Sequence, residues 1–327
     1  MNKRGVICIT AVLILTAVFS ACSEKMQDKN AVEQTDREDR ETAQQPELNE
    51  DGTITLAEGY ASHGFHAEDG TLFDTGSIIE CENGSIKGQI EFQQNTAGTM
   101  NYGLIIMADF VQKKFTVQNE QFDCYRFSLT DEERAIIQIE FPADDDAYEW
   151  EYLIVPEPDA KDFSMDSDSG WNNFMATRGV FTGSYRMEDK SGGKRFPHVY
   201  EQTDTDKLGE LKHDGNTGFQ LVKSSKDLRV FDSAKAGSRA CLCLGGMREE
   251  AQAYAVVAFC GWKQTEISKG QLVRCYTSVP DRNSYDEIIF PNIKEDAVYQ
   301  MFAFELPFES RPAAMVNAAF RIKLEGR

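Results

Sequence analysis

Asp166-Ser-Asp168-Ser-Gly170-Trp171-Asn172-Asn173 gathers carboxylates, amides and an indole in one short polar stretch. Asp166 and Asp168 flank a turn with hard oxygen donors, the ligand type calcium takes. The stretch falls short of an EF-hand, because the later ligands and the terminal Glu are missing. Trp171 beside Asn172 and Asn173 is what a sugar-binding loop uses: a flat ring stacks on a pyranose while amides meet its hydroxyls. The plainer alternatives are a solvated turn and a Trp that pins its own loop. Asp144-Asp145-Asp146 is a second acidic cluster. Asp/Glu pairs could also supply a glycosidase acid and base, but sequence spacing does not give their separation in space.

Other chemistry is weakly represented. His63-Gly-Phe-His66 sets two imidazoles three apart without the helical Glu of a zinc peptidase, and reads as a solvated loop pair. Ser191-Gly-Gly-Lys194 satisfies S-x-x-K and Lys190-Ser191-Gly192 satisfies K-[ST]-G. The two patterns overlap on one serine in a polar segment, where the chemistry needs separate elements. No catalytic residue is assigned, and the chain reads as non-catalytic rather than as an enzyme.

The 327 residues carry a net charge of −20 and are 41% hydrophobic. That length suits two ordinary domains. The acidity disfavours a nucleic-acid face, which needs cations to displace counterions.

The N-terminus is an address. Met1-Asn2-Lys3-Arg4 is basic, Gly5 to Ala21 is uncharged and apolar, and Phe19-Ser20-Ala21-Cys22 follows the small-residue pattern of a cleavage site. This stretch resembles the bacterial lipoprotein signal peptide, with Phe19 in place of the usual aliphatic residue. The resemblance implies removal of residues 1–21 and a diacylglycerol thioether on Cys22, joined by further acyl chains such as palmitate. Two or more chains hold a protein stably on a bilayer. The expected location is therefore the cell membrane, lipid-anchored and facing outward, extracellular or periplasmic. Residues 22–51 form an acidic tether too poor in apolar side chains to order itself.

From Gly52 onward the pattern is short apolar or alternating runs broken by Gly, Asp, Asn and Pro, which predicts an all-β fold. The runs recur. Tyr102-Gly-Leu-Ile-Ile-Met-Ala-Asp-Phe110-Val-Gln112 aligns with Tyr254-Ala-Val-Val-Ala-Phe-Cys-Gly-Trp262-Lys-Gln264. Looser matches pair Cys124 with Cys275, Phe141 with Phe290, Tyr148 with Tyr299, and Pro156 with Pro307. These predict two tandem β-sandwiches, Ig-like or jelly-roll-like, related by internal duplication. The expected boundaries are 52–188, a linker at 189–205, and 206–327. The first copy alone carries an excursion, Glu157 to Arg178, that includes Trp171. Trp150 and Trp262 read as core.

Cys22 takes lipid and Cys8 belongs to the signal peptide. An outside location permits disulfides, and comparable placement suggests Cys81–Cys124 and Cys241–Cys275. The alternative is that all six remaining cysteines pack as small apolar side chains. No cofactor is implied beyond structural calcium. The expected partners are the bilayer and a glycan, wall polymer or envelope protein. Three roles remain open: a binding module, an extracellular carbohydrate-active hydrolase, and a structural part of a surface complex.

Overall fold

The computed structural model describes residues 60–81, 83–95, 98–130, 133–143, 147–161, 178–187, 209–211, 218–245, 252–278, 283–305 and 316–327. The first copy contributes β1 (Tyr60–His66), β2 (Leu72–Phe73), β3 (Ile78–Ile79), β4 (Ser85–Asn95), β5 (Met100–Ala108), β6 (Val111–Lys113), β7 (Phe115–Val117), β8 (Glu120–Phe122), β9 (Tyr125–Leu129), β10 (Arg134–Pro142), β11 (Glu149–Pro156) and β12 (Phe181–Met187). The second contributes β13 (Gly209–Leu211), β14 (Phe219–Val222), β15 (Ser233–Lys235), β16 (Arg239–Leu244), β17 (Gln252–Cys260), β18 (Lys263–Thr265), β19 (Val273–Ser278), β20 (Asn283–Ile289), β21 (Ala297–Glu305), β22 (Val316–Ala318) and β23 (Ile322–Glu325).

The strands build two tandem β-sandwiches related by duplication. In the first, the sheet β2-β1-β4-β10-β7-β8 faces the sheet β3-β12-β11-β5-β6, with β9 also on β5. In the second, β13-β20-β16-β14 faces β15-β23-β21-β17-β18, with β19 on β17 and β22 on β21. Alternation decides what fills each interior. Ile86, Ile90 and Phe92 of β4 meet Leu104, Ile106, Trp150 and Tyr152 of the opposite sheet. Leu242 and Leu244 meet Val256, Ala258, Tyr299 and Met301 in the second.

β5 and β11 are buried on both faces, and so are β17 and β21 over most of their length. The reason is a third core. Ile105, Met107, Phe110, Leu153 and Val155 of the first copy pack against Val257, Phe259, Trp262, Phe302 and Phe304 of the second. A strand covered on both sides reads as a near-continuous apolar run, interrupted here by Glu149 and Glu151 of β11 and Gln300 of β21.

Cross-strand partners fix which residues correspond. From β4 through β6 the copies are 152 residues apart, as in Gln89 with Cys241 and Gln112 with Gln264. From β9 through β11 they are 149 apart, as in Trp150 with Tyr299 and Glu151 with Gln300. The change falls where the first copy builds the β7–β8 hairpin and the second makes the short turn Ser268–Gln271. Cys275 thus corresponds to Arg126, Tyr299 to Trp150, and Glu305 to Pro156, in place of the Cys124, Tyr148 and Pro156–Pro307 matches read from sequence. Each correction is a slip of two residues, which keeps a side chain on the same face and so leaves the apolar pattern undisturbed. The closing strand of the second copy is split into β22 and β23 around Ala319–Arg321.

Candidate functional site

Cys22, the signal segment and the tether lie outside the described residues, as do Asp144–Asp146, Asp166, Asp168, Trp171, Asn172, Asn173 and Ser191–Lys194. The two feet of the excursion are described, and both rest on the second copy. The carbonyl of Glu157 accepts from Arg321 Nη1 at 2.9 Å, and that of Pro158 accepts from Trp262 Nε1. Lys161 Nζ donates to the Asp296 carbonyl at 2.9 Å, and Arg178 Nε to that of Ala318 at 2.8 Å.

The repeated motif forms the junction between the copies. Asp109-Phe110 and Gly261-Trp262 are two-residue hairpin turns with positive φ at both positions, 46° and 63° in one and 57° and 65° in the other. Such turns suit Gly or Asn, so a phenylalanine and a tryptophan there are held by their surroundings. Each turn presents its aromatic ring to the other copy, and the glutamine two residues on completes the contact. Gln112 N donates to Gln264 Oε1 and Gln264 N donates to Gln112 Oε1, both at 2.7 Å. Gln112 Nε2 donates to the Trp262 carbonyl at 2.8 Å, and Gln264 Nε2 to the Phe110 carbonyl at 2.7 Å. Residue i meets residue j and j meets i, the rule of a two-fold interface, here inside one chain. Trp262, expected in a core, is buried in this junction rather than within its own sandwich.

Two titratable groups are sealed near it. Arg321 is fully buried under the Trp262 ring, 5.0 Å from guanidinium to centroid, and donates through Nε to Gln300 Oε1 at 2.9 Å. Burial draws its pKa down to about 9, against the pull of Glu157. In the first copy the position of Gln300, the Arg321 partner, is taken by Glu151, also fully buried, its carboxylate met only by a weak approach of the Phe110 backbone N–H among the described residues. Burial raises its pKa well above the carboxylate range, and Glu149 and Asp109 add to the effect.

His63 does not lie in a loop. It faces inward from β1, and its Nδ1 lies 2.7 Å from the Tyr152 hydroxyl. Sequence reasoning missed it because a lone polar residue in an alternating run gives no sign of which face it takes. Burial draws its pKa down to about 4.

The outward face of β1-β4-β10 carries rows of polar and charged side chains. Rows across the strands read Ser62–Gln93–Arg134, Gly64–Glu91–Ile136 and His66–Gln89–Gln138. Arg134 Nη2 lies 2.9 Å from Glu91 Oε2 and His66 Nε2 lies 3.4 Å from it, with Leu72 and Ile136 exposed alongside. The equivalent face of the second copy holds an apolar cluster, Val222, Cys241, Cys243, Leu228 and Tyr285, with Glu287 exposed at its side and paired with Arg239. Cys241 stands for Gln89, Cys243 for Glu91, Val222 for His66 and Tyr285 for Ile136.

This placement corrects the disulfide expectation. Cys81 packs on the first interior while Cys124 lies on the inter-copy face of its sheet. Cys241 and Cys275 lie on opposite outer faces of the second sandwich. Neither Cys81–Cys124 nor Cys241–Cys275 forms, since a bridge cannot reach through a sheet. Burial pushes the Cys124 and Cys243 thiols up to about 12 and Cys275 to about 11, so they stay protonated and act as apolar side chains. Among the described residues no group of His, Cys, Asp and Glu could hold a metal ion, and no helix is long and apolar enough to cross a membrane.

No family model matches the chain, and no curated protein sequence matches it. Among solved structures the chain is similar to the N-terminal domain of PorA (12% identity, covering 40% of this chain and 100% of that one, TM-score 0.20). It is similar to red sea bream transglutaminase (6% identity, 82% and 31%, TM-score 0.22). It is also similar to a variant of the McoA multicopper oxidase of Aquifex aeolicus (11% identity, 82% and 67%, TM-score 0.22). At these TM-scores the likeness carries no functional argument.

Proposed function

We propose that this protein is an outward-facing lipoprotein, anchored through acylated Cys22, whose first sandwich is a non-catalytic binding module for a glycan, wall polymer or envelope protein. The observation that carries the reading is the divergence of one surface. At equivalent positions the first copy displays Gln89, Glu91, Arg134, Gln138 and His66, where the second has Cys241, Cys243, Asn283, Glu287 and Val222. These side chains point away from the interior, so the core does not require them. Amides and paired charges in rows suit an extended polar ligand. The second sandwich packs on the other sheet of the first through the junction core and leaves that face uncovered among the described residues.

Thermal unfolding of a Cys22→Ser protein against wall and dietary polysaccharides and envelope extract tests the reading. A ligand at a hundred times its dissociation constant adds about 2.7 kcal/mol. A shift with one ligand, lost in Gln89→Ala/Gln138→Ala and kept in Cys243→Ser, supports the face. A shift lost only in Trp171→Ala moves the site to the excursion. Product release in the same wells makes the protein a hydrolase. Incorporation of labelled palmitate, abolished by Cys22→Ser, tests the anchor.

A further inference from the structure

The first interior holds a polar chain where the second is apolar. His63, Tyr152 and Tyr185 occupy the positions of Phe219, Met301 and Ile322. The second copy folds this layer with apolar side chains, so the fold does not ask for an imidazole and two phenols there. Burying them costs desolvation that their mutual hydrogen bonds only offset.

We propose that Tyr152 is a redox-active tyrosine, with His63 as its proton acceptor and with Tyr185 and Trp150 as rings that pass an electron hole to it. Phe65 N donates to Tyr185 Oη at 3.2 Å, and the Tyr185 hydroxyl also meets those of Thr75 and Tyr152. Tyr152 Oη lies 2.7 Å from His63 Nδ1, within hydrogen-bond reach for proton transfer. We take the neutral imidazole with its hydrogen on Nε2, which leaves Nδ1 an acceptor. The low pKa of His63 keeps Nδ1 open at neutral pH.

The rings form a series. Trp150 and Tyr185 stack at 4.8 Å and 26°, Tyr185 and Tyr152 at 6.3 Å and 26°, and Tyr152 meets the His63 ring edge-on at 5.8 Å. Trp150 Nε1 has no hydrogen-bond partner among the described residues. An oxidised indole there cannot hand off its proton, so the hole moves on to the tyrosine that can. In the second copy Tyr299 replaces Trp150, and the next two positions are Ile322 and Met301, so the series stops at one ring.

The co-reactant is a one-electron oxidant, such as an oxygen-centred radical, arriving at the outer surface. Tyr152 loses one electron to the oxidant and its phenolic proton to His63 Nδ1. The products are a neutral tyrosyl radical, an imidazolium and the oxidant reduced by one electron. A one-electron donor from solution, a thiol or a phenol, returns the electron, and His63 returns the proton. His63 is half-buried, the outermost member of the chain.

The test is flash oxidation of the Cys22→Ser protein with photogenerated ruthenium(III) tris-bipyridine, read by freeze-quench electron paramagnetic resonance. We expect a neutral tyrosyl spectrum that is lost in Tyr152→Phe, although the chain has 11 tyrosines. His63→Phe, the residue the second copy uses, slows radical formation about tenfold or more and removes the solvent deuterium effect. The rate falls below about pH 4, where Nδ1 is already protonated. An unchanged radical in Tyr152→Phe, or an unchanged isotope effect in His63→Phe, overturns the proposal. If either variant unfolds by circular dichroism, a fluorotyrosine placed at 152 decides: an unaltered hyperfine pattern overturns the proposal and an altered one supports it.

Discussion

Arg321 and Glu151 lie at matching ends of one junction and are solved differently. Arg321 finds the Gln300 side chain, the Glu157 carbonyl and the face of Trp262. Glu151 occupies the Gln300 position, across from Ser184 where Arg321 would be, and its carboxylate meets no side-chain donor among the described residues, only the Phe110 backbone N–H at weak geometry. The two ends therefore share their backbone and differ in electrostatics. A buried guanidinium can remain charged against carbonyls and a ring. A buried carboxyl beside Glu149 and Asp109 avoids its charge by keeping its proton. The comparison teaches that the duplicated contact is two-fold symmetric where backbone meets glutamine and asymmetric where charge is buried.

The largest effect should come from the ring at the Arg321 end. Trp262→Ala removes a buried indole, its bond to the Pro158 carbonyl and the cover of Arg321. We expect a loss of about 3–5 kcal/mol in urea unfolding, more than Phe110→Ala causes at the other end. Equal losses would mean that the Arg321 network adds nothing beyond ring burial.

Glu151→Gln makes the ends alike. A folded pKa raised above the unfolded one means that the native state holds the extra proton. Stability is then fully present below the unfolded pKa and falls as pH rises through the folded one, by up to about 1.4 kcal/mol per pH unit for one proton. Glu151→Gln should flatten that alkaline limb in unfolding curves taken between pH 5 and 9 (an assay range chosen as roughly bracketing the window). A limb of unchanged slope would place the titration elsewhere.

His63 has the opposite sign. Its folded pKa is drawn down from 6.5 to about 4, so its contribution is present above 6.5 and is lost as pH falls toward 4. The loss is about 2 kcal/mol, discounted for partial exposure. His63→Phe should flatten the acid limb of the first copy. An acid limb that survives in the variant would show that His63 is not the group titrating.

Much of this architecture was legible in the sequence. Alternating runs gave the all-β fold, and Tyr102–Gln112 against Tyr254–Gln264 gave the duplication. What escaped was register and facing. A two-residue slip, as between Cys124 and Cys275, preserves every inward position and so leaves no trace in an apolar pattern. Nothing in a one-dimensional pattern says that the second face of β5 and β17 is covered by the other copy. Glu151 gave no sign at all, because Glu149-Trp150-Glu151 alternates as a solvated strand does, and only the packed second copy makes its outer face a buried one. Lipidation and the Asp166–Asn173 loop stay on sequence evidence.

The smallest effect is the most diagnostic of symmetry. Gln112→Ala and Gln264→Ala should each cost about 1–2 kcal/mol, since each strips two hydrogen bonds across a part-buried junction and a third within its own copy, to the Asp123 and Leu272 carbonyls. The two losses should be nearly equal despite the different rings beside them. They should not add, because either truncation leaves the partner glutamine without its reciprocal backbone contact. A double-mutant cycle by urea unfolding measures this. Additive losses would mean that the glutamines act separately, and that the repeated motif was retained for its turns rather than for the pairing.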